Sequence, residues 1–107
     1  MKLIKRGDSL KVEYKNSSIE KVCTNASVAE KKYGLKMAEK IQHRIEQIIA
    51  ASSVEEMIRF RVGRCHPLHN NRQDQYAVDL VHPMRLVFTK KEDEVQIAYI
   101  IDIIDYH

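Results

Sequence analysis

The 107-residue sequence contains no tryptophan, only three glycines and two prolines, and two cysteines. So few glycines and prolines act as punctuation between elements, and no low-complexity segment, linker or internal repeat is present. No apolar run approaches the roughly 20 residues that span a bilayer, which excludes a membrane-spanning class. Met1-Lys2-Leu3-Ile4-Lys5-Arg6 has charges with no extended apolar region after them, so no signal peptide is expected. The expected compartment is therefore the cytoplasm, where Cys23 and Cys65 are reduced thiols and not a disulfide. A hydrophobic content of 44% with 31% charged residues suits one soluble domain over residues 1–107 and excludes disorder.

The net charge of +3 is too small to imply a polyanionic partner by itself, but the charge is unevenly placed. No acidic residue occurs from Met57 to Gln73, a stretch that holds Arg59, Arg61, Arg64, Arg72, His66 and His69. Such a stretch is more often a solvated loop than a binding surface. The two histidines within it shift the reading toward chemistry on a polyanion.

The pattern of apolar residues gives the elements. Gly7-Asp8 reads as a turn between short strands Lys2–Lys5 and Leu10–Tyr14. Ser17-x-x-Glu20 fits a capping box that opens a helix, Ser27-x-x-Glu30 fits a restart after a kink, and Gly34 fits a stop. A second helix is expected from about Lys36 to Ala50, with Met37, Ala38, Ile41, Ile45, Ile48 and Ile49 as its core stripe. Ser53-x-x-Glu56 caps one further turn, and residues 61–74 read as a loop. Strands follow at Gln75–Leu80, Met84–Thr89 and Val95–Ile104, with connections short enough for antiparallel hairpins. The expected fold is α+β: two N-terminal helices packed on one face of an antiparallel sheet with a C-terminal three-strand meander.

Chemistry-bearing residues gather late in the chain. An apolar, β-branched strand leads directly into Asp105-Tyr106-His107, so a carboxylate, a phenol and an imidazole would be anchored together. With His66, His69 and Arg85 they form a candidate catalytic set. Cleavage of RNA through its own 2′-OH needs such a set: a base for the 2′ proton, a cation for the crowded phosphate and an acid for the leaving 5′ oxygen. Arg61, Arg64 and Arg72 are candidate RNA-binding residues, and Tyr76 a candidate stacking residue. His66-x-x-His69 with Cys65 and His107 also offers zinc-type ligands, but the spacing is a weak signal without a second pair. Cys23 and Cys65 read as packing residues; basic neighbours of Cys65 could nevertheless lower its pKa. Alternation in Met84-Arg85-Leu86-Val87-Phe88 puts Arg85 on the open face of the sheet, as a phosphate ligand or as a surface charge paired with Asp79 or Asp102.

His66-Pro67-Leu68, the turn with Arg72, Tyr76-Ala77-Val78, the Met84–Phe88 strand and the terminal Asp105-Tyr106-His107 together resemble the HigB branch of the RelE/ParE toxin superfamily. The likeness covers essentially the whole chain. It implies a metal-independent, ribosome-dependent mRNA endonuclease with no cofactor, held inactive by a HigA-like helix-turn-helix antitoxin. It implies functional roles for His66, Arg85, Asp105 and His107, with Tyr106 between the last two. The chain departs from the usual motif at His69, where lysine is usual, and at Met84 and Tyr76, where tryptophan is usual. An imidazole replaces a lysine cation only when protonated, so the resemblance implies a pH-sensitive activity. Two alternatives remain open: a ParE-like inhibitor of DNA gyrase without enzymatic activity, and a weakened toxin that mainly binds its antitoxin.

Overall fold

The computed structural model describes residues 10–105, so the strand expected at Lys2–Lys5 and the terminal Tyr106 and His107 lie outside the described residues. The chain runs β1 (Lys11–Tyr14), α1 (Ser17–Thr24), α2 (Ala26–Tyr33), α3 (Leu35–Ala50), α4 (Val54–Arg59), β2 (His66–Pro67), β3 (Gln75–Asp79), β4 (Met84–Glu92) and β5 (Gln96–Asp105). Two short 3₁₀ turns, Val62–Arg64 and Asn70–Arg72, interrupt the loop on either side of β2.

Local side chains decide the helix boundaries. Asn16 Oδ1 accepts a hydrogen bond from the Ile19 amide at 2.9 Å, so the first cap is Asn16 and not Ser17. Asn25 Oδ1 accepts from the amides of Ser27 and Val28, ending α1 and starting α2 at one residue. Gly34, at φ 89°, ends α2 in a conformation that suits glycine and leads straight into α3. Ser53 caps α4 as its spacing to Glu56 implies, accepting from the Glu56 amide at 3.0 Å.

The five strands lie in the order β1-β5-β4-β3-β2. The expected meander β3-β4-β5 is present and antiparallel, and β2 adds to its outer edge. The sheet is mixed, because β1 pairs with β5 in parallel. Every other element lies between β1 and β5 in sequence, so the chain is long enough for either direction, and no local pattern specifies one.

The helices cover one face of the sheet. Met37, Ala38, Ile41, Ile45 and Ile48 of α3 are buried against a core that includes Val78, Leu86, Phe88, Ala98 and Ile100. Ile49, expected in that stripe, is 48% exposed, because it lies at the last turn beyond the width of the sheet-facing stripe. On the other face Leu68, Ala77 and Val87 form a second small cluster with Ile101 and Ile104. A bulge separates the two registers of β4 and β5: Val87 pairs with Asp102 and Phe88 with Ile100, leaving Ile101 as the extra residue.

The short α4 has too few residues to hold itself, and polar contacts tie it to the sheet. Gln96 Oε1 accepts from the Val54 amide at 2.8 Å, and Gln96 Nε2 donates to Glu55 Oε1 at 2.9 Å. Lys90 Nζ donates to the other Glu55 oxygen at 2.5 Å. Hydrogen bonds from Lys90 and Gln96 hold the Glu55 carboxyl down at about 2. A carboxylate depressed by folding stabilises the native state above its unfolded pKa, and that contribution fades as pH falls. Glu55→Gln should therefore cost a constant amount above about pH 5, at most about 1 kcal/mol for so exposed a pair. The gap between variant and wild type should close between about pH 4.5 and pH 2, as read from chemical denaturation across that range.

Candidate active site

Alternation along β4 sends Met84, Leu86 and Phe88 toward the helices and Arg85 to the opposite face. Pairing places further residues beside it on that face. Asp79 of β3 is the registered partner of Arg85, and His66 of β2 is the partner of Ala77, whose own partner is Val87. Three adjacent strands thus bring an imidazole, a carboxylate and a guanidinium to one end of the open face.

The segment entering β2 completes the site. Arg61, Gly63 and Arg64 all have left-handed backbone, with φ of 55°, 56° and 56°. For a side-chain-bearing residue that conformation costs about 1–2 kcal/mol, and such strain clusters at functional sites. The tight turn leaves Arg61 and Arg64 beside a cleft of about 400 Å³ that Ile58, Cys65, His66 and Arg85 also line. Among the described residues no carboxylate lines it.

Hydrogen bonds fix the state of His66. The Arg64 carbonyl lies 2.7 Å from His66 Nδ1 and can only accept, so Nδ1 carries a proton. Arg85 Nη1 lies 3.1 Å from His66 Nε2 and can only donate, so Nε2 presents its lone pair. The two contacts orient the ring, with Nε2 turned to the Arg85 guanidinium.

Asp79 stands behind this pair. Its Oδ2 accepts from Arg64 Nε at 2.6 Å. Its Oδ1 lies 3.5 Å from Arg85 Nε, an ion-pair distance; among the described residues this buried oxygen receives no hydrogen bond. Its backbone carbonyl accepts from Arg44 Nε of α3 at 2.6 Å. The Arg44 side chain passes beneath the turn, and a Cβ on Gly63 would lie 2.8 Å from Arg44 Nε.

The cleft brings together His66, Arg85, Arg61 and Arg64 of the residues singled out from the sequence. Among the described residues it does not bring in His69, Arg72, Tyr76 or Asp105. His69 is exposed at the start of the 70–72 turn and does not line the cleft. Arg72 donates to Gln75 at 2.9 Å and reaches to 3.8 Å from Asp102, bridging the second apolar cluster. The Tyr76 ring stacks on Phe88 at 5.7 Å between centroids, on the helix side of the sheet. Asp105 pairs with Met84, which places it on the face opposite Arg85. Among the described residues no group of three histidine, cysteine, aspartate or glutamate side chains could hold a metal ion. Arg44 and Asp79 belong to the site's support and stand out from no motif; the only sequence signal is the alternation that puts Asp79 on the face of Arg85.

No family model matches the chain, and no curated protein matches it. Among solved structures it is similar to a YoeB/ParE toxin from Agrobacterium tumefaciens, with a TM-score of 0.61 and 16% identity over 92% of this chain and 100% of that one. The fold is that of a YoeB/ParE toxin. At such identity the likeness carries architecture and not individual residues. On this fold the cleft occupies the sheet face that the helices leave open, at the end where β2, β3 and β4 meet.

Burial pushes the Cys23 and Cys65 thiols up to about 12. Cys65 borders the cleft but is only 4% exposed, and desolvation outweighs its basic neighbours. Ellman titration of the folded protein at pH 8 should detect neither thiol, and both should react in denaturant. Gly63→Ala should lower stability by about 1–3 kcal/mol in denaturant melts, since a Cβ meets left-handed strain and Arg44 together.

Proposed function

We propose that the chain is the toxin of a type II toxin–antitoxin module, of the HigB kind, and that it cleaves mRNA on the ribosome. The observation that carries this reading is the His66–Arg85 hydrogen bond inside an arginine-lined cleft. RNA supplies its own nucleophile, so the protein needs only a base, a cation and an acid. A phosphodiester entering the cleft draws Arg85 onto its oxygens, where the guanidinium fork matches their geometry. Arg85 then leaves His66 Nε2, and that lone pair is free to take the 2′ proton. The Arg64 carbonyl stabilises the imidazolium that results, because Nδ1–H keeps its acceptor. Arg64 joins Arg85 on that phosphodiester, and Arg61 holds a flanking phosphate.

The acid that protonates the leaving 5′ oxygen falls to His107 on the resemblance to HigB, with Asp105 and Tyr106 in the same terminal tripeptide. His69 serves as an outlying contact, and Arg72 and Tyr76 act through the sheet that carries the cleft. A HigA-like helix-turn-helix antitoxin is the cellular partner, since uncontrolled mRNA cleavage would kill the host. The reading calls on no cofactor, and among the described residues no helix is long and apolar enough to cross a membrane.

Induced expression with mapping of mRNA 5′ ends tests the proposal. The protein should arrest growth and produce cuts in translated regions. Arg85→Ala should reduce cleavage by about 10²-fold or more, as loss of a preorganised charge at a developing oxyanion does. Arg85→Lys should recover part of the activity, because an ammonium lacks the fork. His66→Gln should cost about 10²–10⁴-fold, the range of a general base. Wild-type cleavage by Arg85→Ala would remove the site as drawn. Arrest with intact mRNA and inhibited gyrase would move the protein to the ParE-like, non-enzymatic reading.

A further inference from the structure

We infer that Asp79 is a positioning residue: from behind the cleft its carboxylate holds Arg64 and Arg85, whose guanidinium groups form an anion seat, and an RNA phosphodiester binds by drawing them from it. The inference rests on the RNA-cleaving reading of the cleft. Two guanidinium groups that line the cleft face one carboxylate: Arg64 Nε at 2.6 Å from Oδ2 and Arg85 Nε at 3.5 Å from Oδ1. Planar oxygen pairs bound by two guanidinium groups are how a phosphodiester is also held.

The two contacts are unequal. Arg64 makes a hydrogen bond, but its side chain is 62% exposed, so the pair is screened and weak. Arg85 is only 18% exposed, yet its contact to Asp79 is too long for a hydrogen bond and leaves the buried Oδ1 without one. Asp79 thus gathers the two arginines without binding either strongly. A carboxylate fixed on a strand, with its backbone clamped by Arg44, cannot follow the arginines once they turn outward. A phosphodiester brings two non-bridging oxygens that can move to meet both guanidinium groups, and so gives Arg85 the full hydrogen bond that the fixed carboxylate does not. Asp79 therefore keeps two like charges together beside the cleft and yields them to the ligand.

This arrangement sets a sign that a purely structural aspartate would not give. Neutralising Asp79 removes a competitor, so affinity for a phosphodiester should rise. The probe is a fluorescein-labelled, single-stranded oligoribonucleotide with every 2′-OH methylated, which cannot be cleaved through 2′ attack. Binding to the full chain is followed by fluorescence anisotropy at fixed low salt. Asp79→Asn should bind about 3–10-fold tighter than wild type, the scale of releasing one exposed and one part-buried ion pair. Glu46→Gln, on the exposed side of α3, changes net charge equally and should leave affinity within about 2-fold, as a distant screened charge does. The gain from Asp79→Asn should vanish when Arg64 and Arg85 are both alanine.

Unchanged or weaker binding by Asp79→Asn overturns the inference, as does an equal gain from Glu46→Gln or a gain that survives loss of both arginines. Should Asp79→Asn fail to fold, Asp79→Ser carries the same expectations. Cleavage is scored separately. Binding that depends on Arg85 but ignores Asp79 removes this inference and leaves the proposed activity standing. Tighter binding by Asp79→Asn with no mRNA cleavage by wild type keeps the anion seat and removes the nuclease.

Discussion

The end of β3 is where the structure's charges are reconciled, and Asp79 is the residue that does it. Its carbonyl accepts from Arg44 on α3, its Oδ2 accepts from Arg64 in the turn before β2, and its Oδ1 faces Arg85 on β4. One residue therefore joins the helical layer, the left-handed turn and the central hairpin. Without a carboxylate there, three guanidinium groups would crowd one end of a small sheet with less to oppose their repulsion. The cleft exists because that repulsion is held, and it can bind an anion because the hold is weak.

The two faces of the sheet divide the work. On the helix side Val78, Leu86, Phe88 and Ile100 bury almost completely, and that layer carries the hydrophobic stabilisation. On the other side the apolar cluster is small, and the segment 68–72 lies across part of it, with Leu68 inserted and Arg72 reaching toward Asp102. Among the described residues, the end near β2 remains uncovered. A polar network there would be costly if enclosed. At a partly open face its charges keep some water, and a ligand can reach them. The strain in Arg61 and Arg64 is tolerated because the core beneath, including Cys65, holds the turn's exit in place.

Much of this was legible in the sequence, and the failures share a cause. The α3 stripe, the Ser53 cap and the three late strands follow from side chains within a few residues of one another, and periodicity reports them well. The side assigned to Arg85 follows from alternation in Met84–Phe88 and agrees with the structure. Non-local contacts were silent. Parallel pairing of β1 with β5 leaves no trace in either strand. The two-residue β2 is too short to show a period. Asn16 and Asn25 outcompete the neighbouring serines as caps, a choice between adjacent residues that propensity ranks almost equally. The role of Asp79 depends on Arg44, 35 residues earlier, and on the missing side chain of Gly63 that lets Arg44 pass.

The same distinction explains why the basic stretch from Arg59 to Arg72 reads as one feature in the sequence and as several in space. Arg59 stacks over Phe60 at 5.2 Å, at the end of α4. Arg61 and Arg64 turn to the cleft because left-handed backbone reverses the chain beneath them. His66 joins them because β2 fixes it in register with Ala77. Beyond β2 the chain crosses the second cluster, and there His69 is exposed while Arg72 is used for structure. Charge density along a sequence therefore marks where a polyanion is met only after backbone conformation has sorted the charges. Here the sorting retains two arginines and one histidine from the loop, and the sheet adds Arg85 from 19 residues beyond His66.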